Sequence, residues 1–558
     1  MKNKISIILL CLLVAQAQLL TAQTKDITES SIDAIFSDQA DLSKPGATVA
    51  VVSNGELVFS KGYGSANLEY AIPNTPSTIF HVASVSKQFT AFSILLLADQ
   101  GLLSFDDDIR KHIPEVPDFG KTITLRHLAS HTSGLRDQWN LLALAGWRLD
   151  DVITKEQVMK LVEKQQELNF DPGEQYAYCN TGFTLLAEVI ARVSGKSFAE
   201  FTKSEIFDPL GMENTLFYDD HERIVKHRAY SYYTDSTGYK KAVLSYANVG
   251  ATSLFTTVED ISRWAINFST PLVGNKAIID QFNSLAVLNN GETFGGAYGQ
   301  FVGEHNGHLM IQHGGSDAGY RTFFARFPDD DLAVAVFSNY GYTNPNVLAL
   351  QVADLYLEEK AGNVETKAKD VKFIKLKAKE LAEFEGYYWN DPGMYSRRIY
   401  VKDDTLRYYR GENNESPLVP IGSNTFKMIN IGNTDLKVTF LEEDGKRQMS
   451  VVQDDAEPNI SYGYEPVAND SLVKNELEGK YYSEELETSY VLKVKDGLLK
   501  ATHIRHDDVT LTPIMKDRFE TNRWYFGTVE FQRNDQGTVN GFLVSTGRMK
   551  NLQFSKGN

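Results

Sequence analysis

Along the first part of the chain the apolar positions switch between two periods. Ala47 to Val52 and Leu57 to Ser60 read as strands joined at Asn54-Gly55, a dipeptide that tolerates the left-handed backbone of a tight hairpin. From Lys87 to Gln100 the rhythm changes. Phe89, Phe92, Leu95 and Leu96 recur at three- and four-residue steps, which predicts a helix. Thr181 to Val193 is a second helical segment, and Asn346 to Glu359 is a closing helix. Residues 308–339 alternate as strands that turn at Pro328-Asp329-Asp330. Strands at both ends with helices between them predict one mixed sheet and a helical subdomain.

Beyond this region the pattern changes. Residues 361–375 are polar and lysine-rich and read as a linker; after them, short Tyr- and Val-rich runs broken by Asp, Asn and Gly read as all-β. This tail repeats itself. Glu383-Phe384-Glu385-Gly386 matches Glu476-Leu477-Glu478-Gly479, and Val401-Lys402-Asp403 matches Val494-Lys495-Asp496, both at an offset of 93. Leu418, Pro420, Ile421 and Phe426 match Leu511, Pro513, Ile514 and Phe519 at the same offset, and Val438-x-Phe440 matches Val529-x-Phe531 at 91. The spacing predicts two tandem β domains of roughly 90 residues, 376–466 and 467–558, each small enough to form a barrel.

The N-terminus adds an address. Lys2 and Lys4 precede an almost unbroken apolar run from Ile5 to Val14, with Leu20-Thr21-Ala22-Gln23 or Ala17 offering a cleavage site. Such a run is too short to span a bilayer and reads as a signal peptide. The expectation is a leader over 1–22, a first mature domain over 23–360, and a periplasmic or secreted destination. Cys11 belongs to the apolar run and lacks the small residue that a lipidation site wants before it. Cys179 is then the mature chain's one thiol, so no internal disulfide is expected. No later stretch is apolar enough for a membrane span, and no membrane insertion is expected once the leader is removed.

A length of 558 residues allows several cores. The formal net charge of -17 argues against nucleic acid or an anionic membrane as a partner. Loss of the leader removes two lysines and no acid, which makes the chain more acidic still. A small-molecule or peptide substrate is the partner expected, and the oligomeric state is open.

Three short motifs could carry chemistry. In Ser84-Val85-Ser86-Lys87, a helix beginning at Ser84 would place the lysine one turn along on the same side. A serine hydroxyl needs a base to become a nucleophile, and a lysine can serve if burial and the helix N-terminus lower its pKa. The same N-terminus leaves N–H groups free to hold an oxyanion. Ser471-Leu472-Val473-Lys474 also fits the pattern, in the β tail. Tyr178-Cys179-Asn180 offers a proton carrier and an amide. Its spacing recurs at Tyr246, Tyr342 and Tyr388, where a buried tyrosine with a satisfied hydroxyl is the plain alternative. Tyr178 differs in following the turn Asp171-Pro172-Gly173 and preceding a helix start. In His313-Gly314-Gly315-Ser316 the glycines let backbone approach a ligand, which makes His313 and Gly315 candidate substrate-binding residues; the strand leaving through Ser316 to Arg326 could wall a cleft, and the Ser316 N–H could be a second oxyanion donor. A glycine-rich hairpin turn is the other reading, and His305-Asn306-Gly307 competes with it.

Taken in order, these blocks resemble the penicillin-recognising serine hydrolases: class C β-lactamases, D-Ala-D-Ala carboxypeptidases, related esterases and D-aminopeptidases. The likeness runs from about Gly46 to Leu357. It includes H-V-A-S-V-S-K-Q-F-T-A around Ser84, T-L-R-H-L-A-S-H-T-S-G-L from Thr124, and P-G-E-Q-Y-A-Y-C-N-T-G-F from Pro172. G-A-T-S-L-F-T-T from Gly250 and H-G-G-S-D-A-G-Y from His313 complete it. The resemblance implies an α+β fold: a β-lactamase/transpeptidase-like catalytic domain, an antiparallel sheet flanked by helices with a helical subdomain, followed by two small all-β barrel-like domains. It implies Ser84 as the acylated nucleophile and Lys87 with Tyr178 as base and acid. Asn180 would bind a substrate amide or position Lys87. The oxyanion would sit on the Ser84 and Ser316 N–H groups, and no metal or other cofactor is called for. His313 stands where many β-lactamases carry the lysine of K-T-G, and a histidine is often neutral at pH 7. That departure favours peptide amides or esters over β-lactams, and H-x-G followed by two barrels looks most like D-aminopeptidases. A β-lactamase, a D-Ala-D-Ala carboxypeptidase and a non-catalytic penicillin-binding or sensor protein are the alternatives. A Ser-His-Asp hydrolase would want G-x-S-x-G, which Gly314 to Ala318 only approaches. His127 and His131 are four apart without an H-E-x-x-H pattern, and read as structural residues.

Overall fold

In the computed structural model the first domain is organised by six strands: β1 (Ala47–Ser53), β2 (Glu56–Tyr63), β3 (Phe301–His305), β4 (His308–Asp317), β5 (Tyr320–Phe327) and β6 (Leu332–Ser338). Their order is β3-β4-β5-β6-β1-β2. The structure describes residues 29–358 and 372–557 except 412–413, 430–435, 444, 454–457 and 468–473. The expected leader over 1–22, much of the expected 361–375 linker, and Ser471 to Val473 of the competing motif lie outside the described residues.

Every neighbouring pair in the sheet is antiparallel, as the family resemblance implied, which corrects the mixed sheet that strand and helix order suggested. The reason is a long-range pairing: β1 lies beside β6 with Ala47 opposite Ser338, and apolar periodicity carries no information about the direction of strands so far apart. Asn54 and Gly55 turn the β1–β2 hairpin at φ values of 51° and 76°, the left-handed pair such a turn requires. Both faces of the central strands are buried. Val49 and Val51 of β1, with Val334 and Val336 of β6, enter one core, while Ala50, Val52, Ala333, Ala335 and Phe337 enter the other. Hence the near-continuous apolar run at 332–337.

Helix α1 (Glu29–Ile35) and the C-terminal α5 (Pro345–Tyr356) cover the first face, with Ile32 and Val352 in its core. The helical part covers the second with α2 (Ser86–Asp99), α3 (Asn180–Ser194) and α4 (Val258–Ser269). Twelve residues of α2, from Ser86 to Leu97, are buried on all sides, as befits a helix in the middle of a domain. α3 ends at Gly195, whose φ of 70° provides a left-handed stop. No described helix is long and apolar enough to cross a membrane.

Each half of the tail is a closed eight-stranded barrel, with strands from Gly386 to Tyr464 and from Gly479 to Lys556. Closure pairs Tyr387 with Tyr464 in the first and Tyr481 with Lys556 in the second, removing free sheet edges. The repeated motif has a physical cause. Glu385 accepts the Val401 N–H at 2.6 Å, and Glu478 accepts the Val494 N–H at 2.7 Å. The Tyr388 hydroxyl donates to Phe384 O, and the Tyr481 hydroxyl to Leu477 O. Asp403 and Asp496 both take positive φ to turn the next hairpin. The barrels differ in what they pack against. The first encloses its own core, whereas the core of the second is continuous with that of the first domain.

Candidate active site

Ser84 does not begin the α-helix. It lies in a single 3-10 turn, Ala83–Val85, directly ahead of α2. Ala83 holds a φ of 49°, a costly conformation for a residue with a Cβ. The turn is tied down by the Ser86 hydroxyl, which donates to Ala83 O at 2.5 Å and accepts the Leu254 N–H at 3.1 Å. Ser84 is left partly exposed on the pocket surface while Ser86 and Lys87 are buried.

Lys87 Nζ sits 3.1 Å from Ser84 Oγ, 2.8 Å from Asn180 Oδ1 and 2.6 Å from Ala251 O. Burial pushes its pKa down from 10.5 to about 7, against the Asp137 carboxylate, which raises it. Two of its three neighbours are amide oxygens that can only accept. A neutral amine donates its two hydrogens to them, and its lone pair then faces the Ser84 hydroxyl.

Asn180 opens α3. Its backbone N–H and its Nδ2 both donate to Asp137 Oδ2, at 2.7 and 2.8 Å. A carboxylate only accepts, so Asp137 fixes the amide with Oδ1 toward Lys87. Asp137 also caps the helix Gln138–Leu144 through the Trp139 N–H.

Two flat groups contact the Tyr178 ring. The His131 ring stacks on it at 4.2 Å between centroids, and the Arg548 guanidinium lies 4.8 Å from its ring centroid. Burial raises its pKa above the usual tyrosine value, and a hydrogen bond with Ser84 works the other way, so the phenol is protonated at neutral pH. His131 accepts the Cys179 N–H at 3.0 Å through Nδ1 and is kept neutral by burial and by Lys87. His127 closes the capping box of the helix Leu125–Ala129. The two histidines serve different local structures, as a structural reading of both requires. Burial also drives the Cys179 thiol up to about 12, which makes it unreactive.

His313 lies on β4 opposite Phe324. Its Nδ1 is 2.6 Å from Gly314 O, and burial together with Lys87 pulls its pKa down to about 3. The ring is neutral, with Nδ1 protonated and Nε2 an acceptor. At Gly315 a Cβ would lie 2.2 Å from Thr322 Oγ1 and 2.3 Å from Val82 O, so only glycine lets β4 cross the turn that carries Ser84. Ser316 is within strand β4, not at a strand-to-helix turn, which sets aside the G-x-S-x-G alternative. His305-Asn306-Gly307 is the β3–β4 hairpin, with His305 Nε2 2.7 Å from Asp354.

One pocket of about 630 Å³ unites Ser84, Tyr178, Asn180, His313, Gly315 and Ser316 over the buried Lys87. Of the other Y-x-N tyrosines, Tyr246 also lines it, Tyr342 is exposed, and Tyr388 lies in the first barrel. Reading the sequence missed three contributors. Asp137 lies two residues past the T-L-R-H-L-A-S-H-T-S-G-L block, where extending that block would have found it. Trp524 and Arg548 also line the pocket, and both come from the second barrel. No local signal marks them.

The second barrel is held against the site by polar contacts. The buried Arg136 Nη1 reaches both carboxylate oxygens of Glu485 at 2.6 Å, and its Nε and Nη2 donate to Lys550 O. The Asp137 N–H donates to Arg548 O at 3.1 Å, and Tyr490 Oη donates to Leu144 O at 3.0 Å.

Comparison with known proteins bears on the family and the fold. A D-aminopeptidase of Gluconobacter oxydans is 27% identical over 296 residues, covering 53% of this chain and 56% of the relative, so the match spans little more than half of that protein. Penicillin-binding protein 4* of Bacillus subtilis is 29% identical over 327 residues, covering 55% of this chain and 71% of the relative. The solved structure of an octameric penicillin-binding protein homologue from Pyrococcus abyssi aligns with a TM-score of 0.54 at 25% identity, over 78% of this chain and 98% of its own. Residues 32–357 match the beta-lactamase family, and the chain belongs to it.

Proposed function

We propose that this chain is an exported serine hydrolase that cleaves amide or ester bonds of small peptides or related substrates through an acyl-enzyme on Ser84. D-aminopeptidases and esterases are the activities it would resemble. The observation that carries this reading is the setting of Lys87: a buried amine at hydrogen-bond distance from Ser84, with acceptors occupying its other two contacts. The neutral amine takes the Ser84 proton as Oγ bonds to the substrate carbonyl carbon. The Ser84 and Ser316 N–H groups receive the oxyanion. The protonated Tyr178 gives its proton to the departing nitrogen or oxygen as the scissile bond breaks, and Lys87 restores it. Water then attacks the ester by the same path and frees Ser84. Asn180 holds Lys87 and offers its amide to the substrate. A neutral His313 lends no fixed charge at the position where many β-lactamases have lysine, so substrates that need no cation there are favoured. The apolar leader supports a periplasmic or secreted destination.

A fluorophosphonate probe tests this reading. The wild-type chain is expected to carry the adduct on the peptide containing Ser84, and Ser84→Ala to carry none. The intact mass of protein from the periplasmic fraction reports leader removal in the same experiment. Equal hydrolysis of nitrophenyl acetate by wild type and Ser84→Ala would sink the acyl-enzyme. So would an adduct only at another residue.

The pH profile follows from Lys87. Below about 7 the amine is charged and has no lone pair for the Ser84 proton. Acylation kcat/KM is therefore expected to rise with pH along a limb with an apparent pKa near 7. A profile flat from mildly acid to mildly alkaline pH would contradict the assignment.

A further inference from the structure

Part of the pocket wall comes from the second barrel. Arg548 sits in the turn between that barrel's last two strands, Val539–Thr546 and Met549–Lys556. Its backbone is pinned and its side chain is not. Arg548 O accepts from the Asp137 N–H and from Asn169 Nδ2, both at 3.1 Å, and the Lys550 N–H donates to Asn169 Oδ1 at 2.8 Å. The guanidinium is exposed and rests on the face of Tyr178. Among the described residues it makes no ion pair and no hydrogen bond.

Two charged side chains, Asp317 and Arg548, appear among the described residues lining the pocket. Asp317 is already engaged: its carboxylate accepts from Thr252 Oγ1 at 2.9 Å and lies 3.2 Å from His81 Nε2. Among the described residues the Arg548 guanidinium has only the Tyr178 ring as its partner, and Tyr178 is itself hydrogen-bonded to Ser84. A guanidinium stays protonated at any working pH and offers a planar fork to a carboxylate. That bond is stronger than an exposed contact with a ring face, so an anionic substrate would draw the side chain from Tyr178.

We propose that Arg548 is an anion subsite of the pocket, receiving a carboxylate that the substrate carries next to the bond Ser84 attacks. The substrate class is then a peptide or ester with a free carboxylate at that end. The cation enters from the barrel, and His313 has no part in it. This proposal rests on the acyl-enzyme reading for the identity of the reacting bond, but the charge preference is a property of the pocket alone.

Binding separates the two. On the Ser84→Ala chain, calorimetry compares a dipeptide probe bearing a free C-terminal carboxylate with its C-terminal amide. The carboxylate probe is expected to bind about tenfold tighter or more, by a margin that narrows as salt is added. Arg548→Met in the same background is expected to bring the ratio to about one, and Arg548→Lys to keep part of it. Both variants leave the backbone contacts of the turn in place. Equal binding of the two probes, no measurable binding of the carboxylate probe, or a preference that survives Arg548→Met would each overturn the subsite. A charge preference found together with no adduct on Ser84 in the wild type would overturn the acyl-enzyme and leave the subsite standing.

Discussion

Lys87→Met is expected to lower kcat/KM for a generic ester by roughly 10²–10⁴-fold, the range over which a positioned general base contributes. The methionine fills similar space in a buried site, so the loss is chemical: Ser84 keeps its hydroxyl and its turn but has nothing to take its proton. Lys87→Arg separates base from charge. A guanidinium cannot give up its proton near neutral pH, so arginine should fail as badly as methionine. Rescue by arginine would show that the site needs a cation rather than a base. The fold should survive in the methionine variant because two effects oppose each other. Asn180 Oδ1 and Ala251 O lose their donor, which costs about 1–3 kcal/mol for a buried acceptor, but the desolvation of an amine disappears with it. The folded pKa of Lys87 is depressed. Between about 7 and the ordinary lysine value the unfolded chain therefore binds the extra proton, and wild-type stability should rise with pH across that window. Lys87→Met should flatten that slope. Thermal melts across the window, alongside ester hydrolysis at each pH, check both halves.

How much of this was legible in the sequence depends on how far apart the partners lie. Ser84 and Lys87 are three residues apart, and their spacing alone brings hydroxyl and amine together. The hairpin at Asn54-Gly55 and the helical segment from Thr181 to Val193 are likewise local. The tandem barrels were legible because a repeat writes the same local hydrogen bonds twice, as Glu385 with Val401 and Glu478 with Val494 show. The turn at Ser84 departs from the expected helix start where chain far along the sequence packs on it: Gly315 of β4, over two hundred residues later, closely approaches Val82 O, and Ala83 takes a positive φ beside it. Element order missed the direction of the sheet for the same reason, since β1 finds its partner at the far end of the domain; the family resemblance had implied it. Arg548 was beyond reach. Its contact with Tyr178 depends on how a whole barrel docks, and no periodicity within a barrel strand encodes that.

The docking itself should depend on one buried ion pair. Arg136 and Glu485 are 1% and 5% exposed at the side chain, and burial raises the Glu485 pKa while Arg136 opposes it. Removing Arg136 leaves the Glu485 charge buried and unpaired, and removing Glu485 leaves Arg136 with only the exposed Glu167 at 3.9 Å; such a loss costs about 3–5 kcal/mol. Arg136→Met and Glu485→Gln are each expected to destabilise the chain on that scale. Arg136→Met should do more harm at the active site, because its guanidinium also holds Lys550 O, next to the turn that presents Arg548. Activity should fall along with stability even though neither residue touches the pocket. The neighbouring Asp137 is what holds Asn180 against Lys87, and the backbone of that same segment is bonded to the barrel. Pairing the two changes gives the decisive comparison. Arg136→Met with Glu485→Met removes both charges and fills the space with apolar atoms, so it should recover much of what either single change loses. Denaturant unfolding of the two single methionine variants and the double variant supplies the cycle, and limited proteolysis reports whether the barrel has come away. Single variants within about 0.5 kcal/mol of wild type would show that the ion pair does not hold the barrel. So would a double variant whose loss is the sum of the singles. The barrel's grip would then rest on the apolar core it shares with the catalytic domain.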